Sequence, residues 1–276
     1  MADKLVYRVD PGSKVDLTDY PTDATGGMDK PGAEQELATL GPELQELQAI
    51  MWGAGTHALL MVVQGRDAAG KDGIISHVLT AINPQGLDIT SFKVPSEDEA
   101  AHDFLWRVHR AVPPKGIIGV FNRSHYEQVL VVRVHKLAPD ATIEASYDQI
   151  NAFERLLTDT GTLVVKFYLH LSRDEQRARL LAREQDVTKA WKLNPGDWAE
   201  RELWDAYTDA YEVALSRCST DTAPWYVIPS DHKWATHLGV ARVLAETLRP
   251  FREGWLSRLQ ALQTKMLGEL KDVDKK

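Results

Sequence analysis

Cysteine is almost missing from this chain. One residue, Cys218, among 276 cannot form an internal disulfide or a thiolate metal site, so a reducing compartment and a buried, inert thiol are expected. No apolar run approaches the ~20 residues that a membrane-spanning helix needs, and the opening MADKLVYRVD has no apolar core of the kind that marks a secretory signal. A cytoplasmic protein with no membrane partner is expected. A surplus of positive charge is lacking as well. With 40 acids against 32 Lys and Arg the formal net charge is -8, whereas general nucleic-acid binders carry excess Lys and Arg to neutralise phosphates. Nucleic acid is therefore not an expected partner. There is no internal repeat and no low-complexity tract.

What is present is enough apolar residue, 43% of the chain, for a large core in one α/β domain. Residues 1–32 are rich in Pro, Gly, Asp and Thr and read as an irregular N-terminal arm. From 33 to 276 a single domain is expected. It opens on a helix from Glu34 to about Gly53, because Leu37, Leu40, Leu44, Leu47 and Met51 recur at spacings of three and four. HALLMVV, LDITSFKV, KGIIGVF, TLVVKFYLHL and APWYVIP read as strands, with helical stretches between them. That alternation predicts βαβ units and a mostly parallel sheet flanked by helices. Near the end, Trp234, Leu238, Ala241, Leu244 and Leu248 repeat at helical spacing, and after Pro250 the pattern resumes through Phe251, Trp255, Leu259, Leu262 and Met266. A long, kinked C-terminal helix is expected, with enough residual apolarity to suit a subunit interface.

The chemistry starts at LLMVVQGRDAAGKDGII, residues 59–75. Gly65 and Gly70-Lys71 satisfy G-x-x-x-x-G-K between a strand and a helix, the setting in which backbone N–H groups of Ala68, Ala69 and Gly70, a helix N-terminus and a mobile cation cradle phosphate. The Ser or Thr that normally follows the lysine is missing. Asp72 stands there, and a second acid, Asp67, lies inside the loop. Asp72 is ambiguous at this level, since an acid in a first helical turn is favourable in its own right. About fifty positions on, GIIGVFNRSHYE ends a strand where a phosphate-loop fold places its second metal-holding motif, usually an Asp; here it is Asn122. Asparagine offers a neutral oxygen, so Asp67 and Glu127 are the candidates for the missing negative charge. Arg123 can fork two donors onto one phosphate. From Arg107 to Lys136 there are six Lys and Arg, namely Arg107, Arg110, Lys115, Arg123, Arg133 and Lys136, against the lone acid Glu127, and Lys93 lies just upstream. In an acidic chain this points to a polyanionic ligand. His125 and His135 lack the companions of a catalytic constellation and read as structural or solvated.

GRDAAGKDG, SFKVPSEDEAAHDFLWRVHRAVPPKG, FNRSHYEQVLVVRVH, REQDVTKAWKLNPGDWAERELWDAY and APWYVIPSDHKWAT occur in that order over residues 35–248. Together they resemble the polyphosphate kinase 2 family. The resemblance implies a P-loop kinase-like fold related to thymidylate kinase, a helical lid at about 173–200, Mg²⁺ dependence, and reversible phosphoryl transfer between inorganic polyphosphate and a nucleotide. It places Asp67 as a metal-binding catalytic carboxylate, with Asn122 and Glu127 beside it, and Lys71 and Arg123 on the transferred phosphoryl group. It also favours Arg183 and Lys189 of the lid as phosphate contacts, against an ordinary reading as solvated pairs with the acids around them. Lys93, Arg107, Arg110 and Arg133 are then expected to contribute to a polyphosphate track, and a homo-oligomer, dimer or tetramer, is implied. FNRSHYE, with Asn where Asp is more usual, resembles the subclass that acts on both AMP and ADP. An ATP-dependent nucleoside monophosphate kinase shares the loop but is expected to keep its Ser or Thr. A non-enzymatic nucleotide-binding regulator needs fewer cations than this.

Overall fold

The central strand explains the architecture. In the computed structural model, which describes residues 3–273, every residue of Ala58–Gly65 is buried, so both faces of the strand must be covered. Its side chains alternate between two cores. Leu59, Met61 and Val63 point into one, with Leu44, Leu47 and Leu244, while Leu60 and Val62 point into the other, with Tyr147, Ile150 and Leu215. Residues 1–2 and 274–276, the tips of the expected arm and C-terminal helix, lie outside the described residues.

In chain order the elements are β1 (Tyr7–Arg8), α1 (Lys30–Ala54), β2 (Ala58–Gly65), α2 (Lys71–Val78), β3 (Leu87–Ser91), α3 (Glu97–Ala100), α4 (Trp106–Arg110), β4 (Ile118–Asn122), α5 (Val131–Val134), α6 (Asp140–Asp159), β5 (Thr162–His170), α7 (Arg173–Glu184), α8 (Pro195–Glu202), α9 (Trp204–Cys218), β6 (Trp225–Pro229), α10 (Lys233–Leu248) and α11 (Arg252–Val273). The sheet runs β1-β6-β5-β2-β4-β3. Strands β3, β4, β2, β5 and β6 are parallel, with Leu60 opposite Gly119 on one side and Val164 on the other. The expected α/β class with a mostly parallel, helix-flanked sheet is therefore observed. All the parallel strands end on one edge, where the connections into α2, the loop after β4 and α7 meet, the place where open α/β sheets bind ligands.

Local chemistry sets the boundaries. Asp29 caps α1 by accepting from Gly32 N at 2.9 Å, and Gly55 ends it in the left-handed region at φ 60. Helices α7 and α8 are capped by Ser172 and Asn194 and enclose a short 3₁₀ stretch, Val187–Lys192. They form the helical segment expected as a lid. At Pro250 a 3₁₀ turn, Arg249–Phe251, separates α10 from α11, which is the expected kink.

The irregular arm is a correction. Tyr7–Arg8 pairs antiparallel with β6, Tyr7 opposite Val227, and Leu5, Tyr7, Val9, Val15 and Leu17 are buried. The arm supplies the edge that β6 would otherwise leave open, but its pairing is too short, among Pro and Gly, to show as a periodic strand. Helix α1 also starts earlier than its leucine pattern, at Lys30. Gly239 of α10 lies under the arm: a Cβ there would come within 2.9 Å of the Leu5 carbonyl. Gly239→Ala should destabilise the protein by about 1–3 kcal/mol, measured by urea unfolding; an unchanged midpoint would mean the arm gives way freely.

Candidate active site

The loop between β2 and α2 is wound tightly. Gly65 packs so closely that a Cβ would meet the Cβ atoms of Ala69 and Leu169 at 3.1 Å, and Gly70, at φ 109, turns the chain into α2. Ala68 also has a positive φ, 62°, a conformation that costs a non-glycine residue about 1–3 kcal/mol and persists because its surroundings enforce it. Lys71 folds back over the loop and donates to the carbonyls of Gly65 at 2.7 Å and Arg66 at 3.0 Å. Burial, and then the nearby charge of Arg123, push its ammonium down to about 8.

Arg123 follows β4 with φ 61, so both non-glycine residues held at positive φ at this edge carry the motif. Its guanidinium bridges two acids, Asp67 at 2.7 Å and Glu127 at 3.5 Å. Burial opposes its charge, but Glu127 and Asp67 outweigh it and raise the Arg123 pKa. Gln64 holds the other oxygen of Glu127 at 3.0 Å. The structure thus brings Gly65, Asp67, Lys71, Arg123 and Glu127 together. Asn122 and Asp72 lie beside them: the Asn122 amide donates to Asp72 at 3.0 Å, and Lys192 of the 3₁₀ stretch ion-pairs with the same carboxylate. Burial works against ionisation of Asp72, yet the bond and charge of Lys192 and the Asn122 amide hold it below its ordinary pKa. Asp72 therefore does more than favour its own helix turn; it joins the loop, β4 and the 3₁₀ stretch before α8.

A cavity of ≈ 320 Å³ opens at this point, lined on one side by Gly65, Asp67, Arg123 and Glu127 and on the other by Trp204, Tyr207 and Tyr211 of α9. Arg66 fixes that second wall by stacking on Trp204, 3.8 Å from the ring centre, and donating to Thr208 at 2.6 Å. Asp197 of α8 also faces the cavity. Burial, together with the charge of Asp67, raises its carboxyl pKa despite a 2.8 Å pair with Arg183.

The loop carrying Arg123 and Glu127 is anchored from below. Glu154, fully buried on α6, accepts from Tyr126 at 2.8 Å and lies 3.2 Å from His125, and it pairs with the buried Lys166 of β5. Lys166 also donates to the Cys218 carbonyl at 2.6 Å. Burial opposes the Glu154 charge, but Lys166 and His125 keep its pKa below the ordinary value; burial lowers the His125 pKa against the pull of Glu154. His125 is thus structural, as its sequence context suggested, and Cys218 is a buried thiol pushed up to about 12 by burial. His135 is half-exposed and pairs with Glu200 at 2.9 Å.

Other sequence candidates are more dispersed. Arg183 pairs with Asp197, and Lys189 pairs with Asp186 at 2.6 Å while half-exposed. Arg107 stacks over Phe92 and donates to the Lys93 carbonyl at 2.9 Å. Arg133 donates to the Tyr147 hydroxyl at 2.7 Å. The Lys93 side chain is exposed, and Arg110, also exposed, lies over Trp106. The sequence reading missed Asp197, Gln176 and the Glu154–Lys166 pair. For Gln176 a signal existed, since 176, 180 and 183 share one face of a helix; an isolated buried Lys–Glu pair leaves none.

As donors for a divalent cation, Asp67, Glu127 and Asn122 are all oxygen ligands, which suits a hard ion. No group of three or more His, Cys, Asp or Glu gathers among the described residues, so an ion here would share its coordination with phosphate oxygens.

The model of the family described as polyphosphate kinase 2 matches residues 27–252. An AMP/ADP-polyphosphate phosphotransferase of Meiothermus ruber is 46% identical over 244 residues, covering 88% of this chain and 91% of the relative. An ADP-polyphosphate phosphotransferase of Rhodopseudomonas palustris is 43% identical over 274 residues, 95% of each chain. Among solved structures, polyphosphate kinase 2 from Arthrobacter aurescens superposes with a TM-score of 0.85 at 43% identity over 88% of both chains.

Proposed function

Because this chain belongs to the polyphosphate kinase 2 family, we propose that it transfers the terminal phosphoryl group of inorganic polyphosphate to both AMP and ADP, with Asp67, Lys71 and Arg123 at the reacting phosphates. It is a phosphotransferase, and its relatives are named for polyphosphate and adenine nucleotides. The observation that carries the residue assignment is the Asp67–Arg123–Glu127 bridge beside a lysine buried in the phosphate loop.

The chemistry asks little of the protein in covalent terms. A terminal phosphate oxygen of the nucleotide attacks the terminal phosphorus of polyphosphate, and the bridging P–O bond breaks to leave a chain one unit shorter. The attacking oxygen is already an anion, so no general base is required. The barrier lies in bringing two polyanions into line. The N–H groups of Ala68 and Gly70 and the ammonium of Lys71 hold phosphate oxygens at the start of α2, and Arg123 adds a forked pair of donors; the Ala69 N–H, expected to join them, is instead spent inside the loop on the Arg66 carbonyl at 3.1 Å. Asn122 and Asp72 set the mouth of the cradle. Arg183 and Lys189 bring positive charge from the lid and help exclude water, while Lys93, Arg107, Arg110 and Arg133 contribute to the approach of the long anion through the field of the basic segment. Mg²⁺, held by Asp67, Glu127 and Asn122, would neutralise charge on the phosphate oxygens in flight. An ATP-dependent monophosphate kinase is disfavoured because Asp72, engaged by Asn122 and Lys192, occupies the usual Ser or Thr position.

No helix among the described residues is long and apolar enough to cross a membrane, and we place the reaction in the cytoplasm, where Cys218 stays reduced. A homo-oligomer, dimer or tetramer, fits the outer part of α11, where Leu262, Met266, Leu267 and Leu270 are exposed along a helix whose first turns bury Trp255. Leu262→Glu with Met266→Glu should lower the mass found by light scattering; an unchanged assembly would put the interface elsewhere.

Phosphorus NMR of the protein with long-chain polyphosphate, AMP and Mg²⁺ should show ADP and then ATP as polyphosphate shortens. AMP left intact while ADP is consumed would remove the dual specificity, and turnover of AMP with ATP alone would favour the conventional kinase. Asp67→Asn should lower kcat by about 10²–10³-fold with little change in KM; near wild-type kcat across a Mg²⁺ titration would take the carboxylate out of the reaction.

A further inference from the structure

Arg179 lies on the buried face of α7, its side chain 9% exposed, and every one of its donors is matched. A guanidinium has five N–H bonds. Nε donates to Glu175 at 2.8 Å. Nη1 donates to the carbonyls of Ala68 at 3.0 Å and Ala69 at 3.3 Å. Nη2 donates to the carbonyls of Ser230 at 2.6 Å and Asp231 at 3.0 Å. One turn earlier, buried Gln176 donates to the Asp67 carbonyl at 3.1 Å. Three consecutive carbonyls of the phosphate loop, 67, 68 and 69, are therefore held toward α7.

A peptide unit is planar and trans, so a carbonyl turned toward α7 turns the N–H of the next residue the opposite way; of the three N–H groups concerned, that of Ala69 is taken by the Arg66 carbonyl at 3.1 Å, which leaves those of Ala68 and Gly70 to face a ligand. Carbonyls facing a polyphosphate would repel it, whereas N–H groups attract it. With one donor used on Glu175 and the other four on backbone carbonyls, Arg179 has none left for a phosphate. Its other two acceptors lie after β6, in the segment where Asp231 accepts from Ser172 N and Thr22 Oγ1, both at 2.8 Å. The same side chain thus ties the loop to the start of α7, to the end of β6 and, through Asp231, to the N-terminal arm. The positive φ of Ala68 is one strain this clamp can hold in place.

We propose that Arg179 is a positioning residue for phosphoryl transfer: assisted by Gln176, it holds the carbonyls of residues 67–69 away from the ligand so that the loop presents donors to the phosphates, without touching them itself. It follows that α7 as far as Arg179 is a fixed buttress of the loop and that lid movement, Arg183 included, begins beyond it. Lysine cannot substitute, because one ammonium cannot reach carbonyls on two sides at once.

The inference rests on the polyphosphate reading, and wild-type turnover of polyphosphate, measured alongside, tells a failure of that reading from a failure of this one. The test is Arg179→Lys, with kcat and KM for polyphosphate and ADP followed over a salt series, and a thermal melt of each variant. Misplacing the cradle should lower kcat by about 10–10²-fold while both KM values stay within about threefold. The slope of log KM for polyphosphate against log salt should match wild type, since the number of cations meeting the anion is unchanged. A large rise in KM for polyphosphate with a flatter salt slope would make Arg179 a direct phosphate ligand and overturn the proposal. A lower melting temperature with unchanged kcat would reduce it to a fold-stabilising residue and overturn it equally. If Arg179→Lys does not fold, Gln176→Leu, which frees the Asp67 carbonyl alone among the loop's, should still depress kcat several-fold at unchanged salt slope; wild-type kcat in that variant rejects the idea.

Discussion

Two cations, Lys71 and Arg123, stand side by side at the edge of the sheet, and much of the surrounding structure keeps them charged and in place. Arg123 disfavours the charge of Lys71, and burial disfavours both. Arg123 is compensated by Asp67 and Glu127, while Lys71 has two backbone carbonyls in place of a dedicated carboxylate. That imbalance defines an anion receptor. A phosphate chain entering the cleft supplies the negative charge that Lys71 lacks, and by linkage the anion and the proton on Lys71 favour each other.

Holding such a pair requires stiffness around it, and the fold provides it from below and from the side. Below, the buried Glu154–Lys166 pair with Tyr126 and His125 fixes the turn that carries Arg123 and Glu127. Desolvating such a pair costs much of what its attraction returns, so its value lies in fixing geometry and not in net stability. From the side, α7 grips the loop carbonyls and Lys192 closes onto Asp72. The acid in the usual Ser or Thr position makes sense in this setting: it serves as the meeting point of the loop, β4 and the lid.

The periodicity of the sequence was sufficient for the sheet and its flanking helices, because a strand buried on both faces is a continuous apolar run and a half-buried helix repeats at three and four. The same reasoning misread the arm, where two residues pair with β6 by backbone alone and no side-chain pattern records it. The loop residues were legible because glycine, lysine and acid at fixed spacing answer to one ligand chemistry. What the arginines touch was not. Arg123 and Arg179 are the same residue type, yet one bridges carboxylates at the cavity and the other spends four of its five donors on carbonyls. Arg107 and Arg133, grouped with them by charge alone, turn to Phe92 and Tyr147. Which acceptor a guanidinium meets depends on long-range packing that spacing along the chain does not encode.

The account stands most directly on the protonation of Lys71. Its ammonium can be titrated by NMR of the isotopically labelled lysine, assigned by comparison with Lys71→Arg, in the free protein and with tripolyphosphate bound. A receptor that buries an incompletely compensated cation should titrate at about 8 when free and move upward by a unit or more, about 1.4 kcal/mol or greater of coupling, when the anion binds. A free value near the ordinary lysine pKa of about 10.4, unmoved by tripolyphosphate, would contradict it.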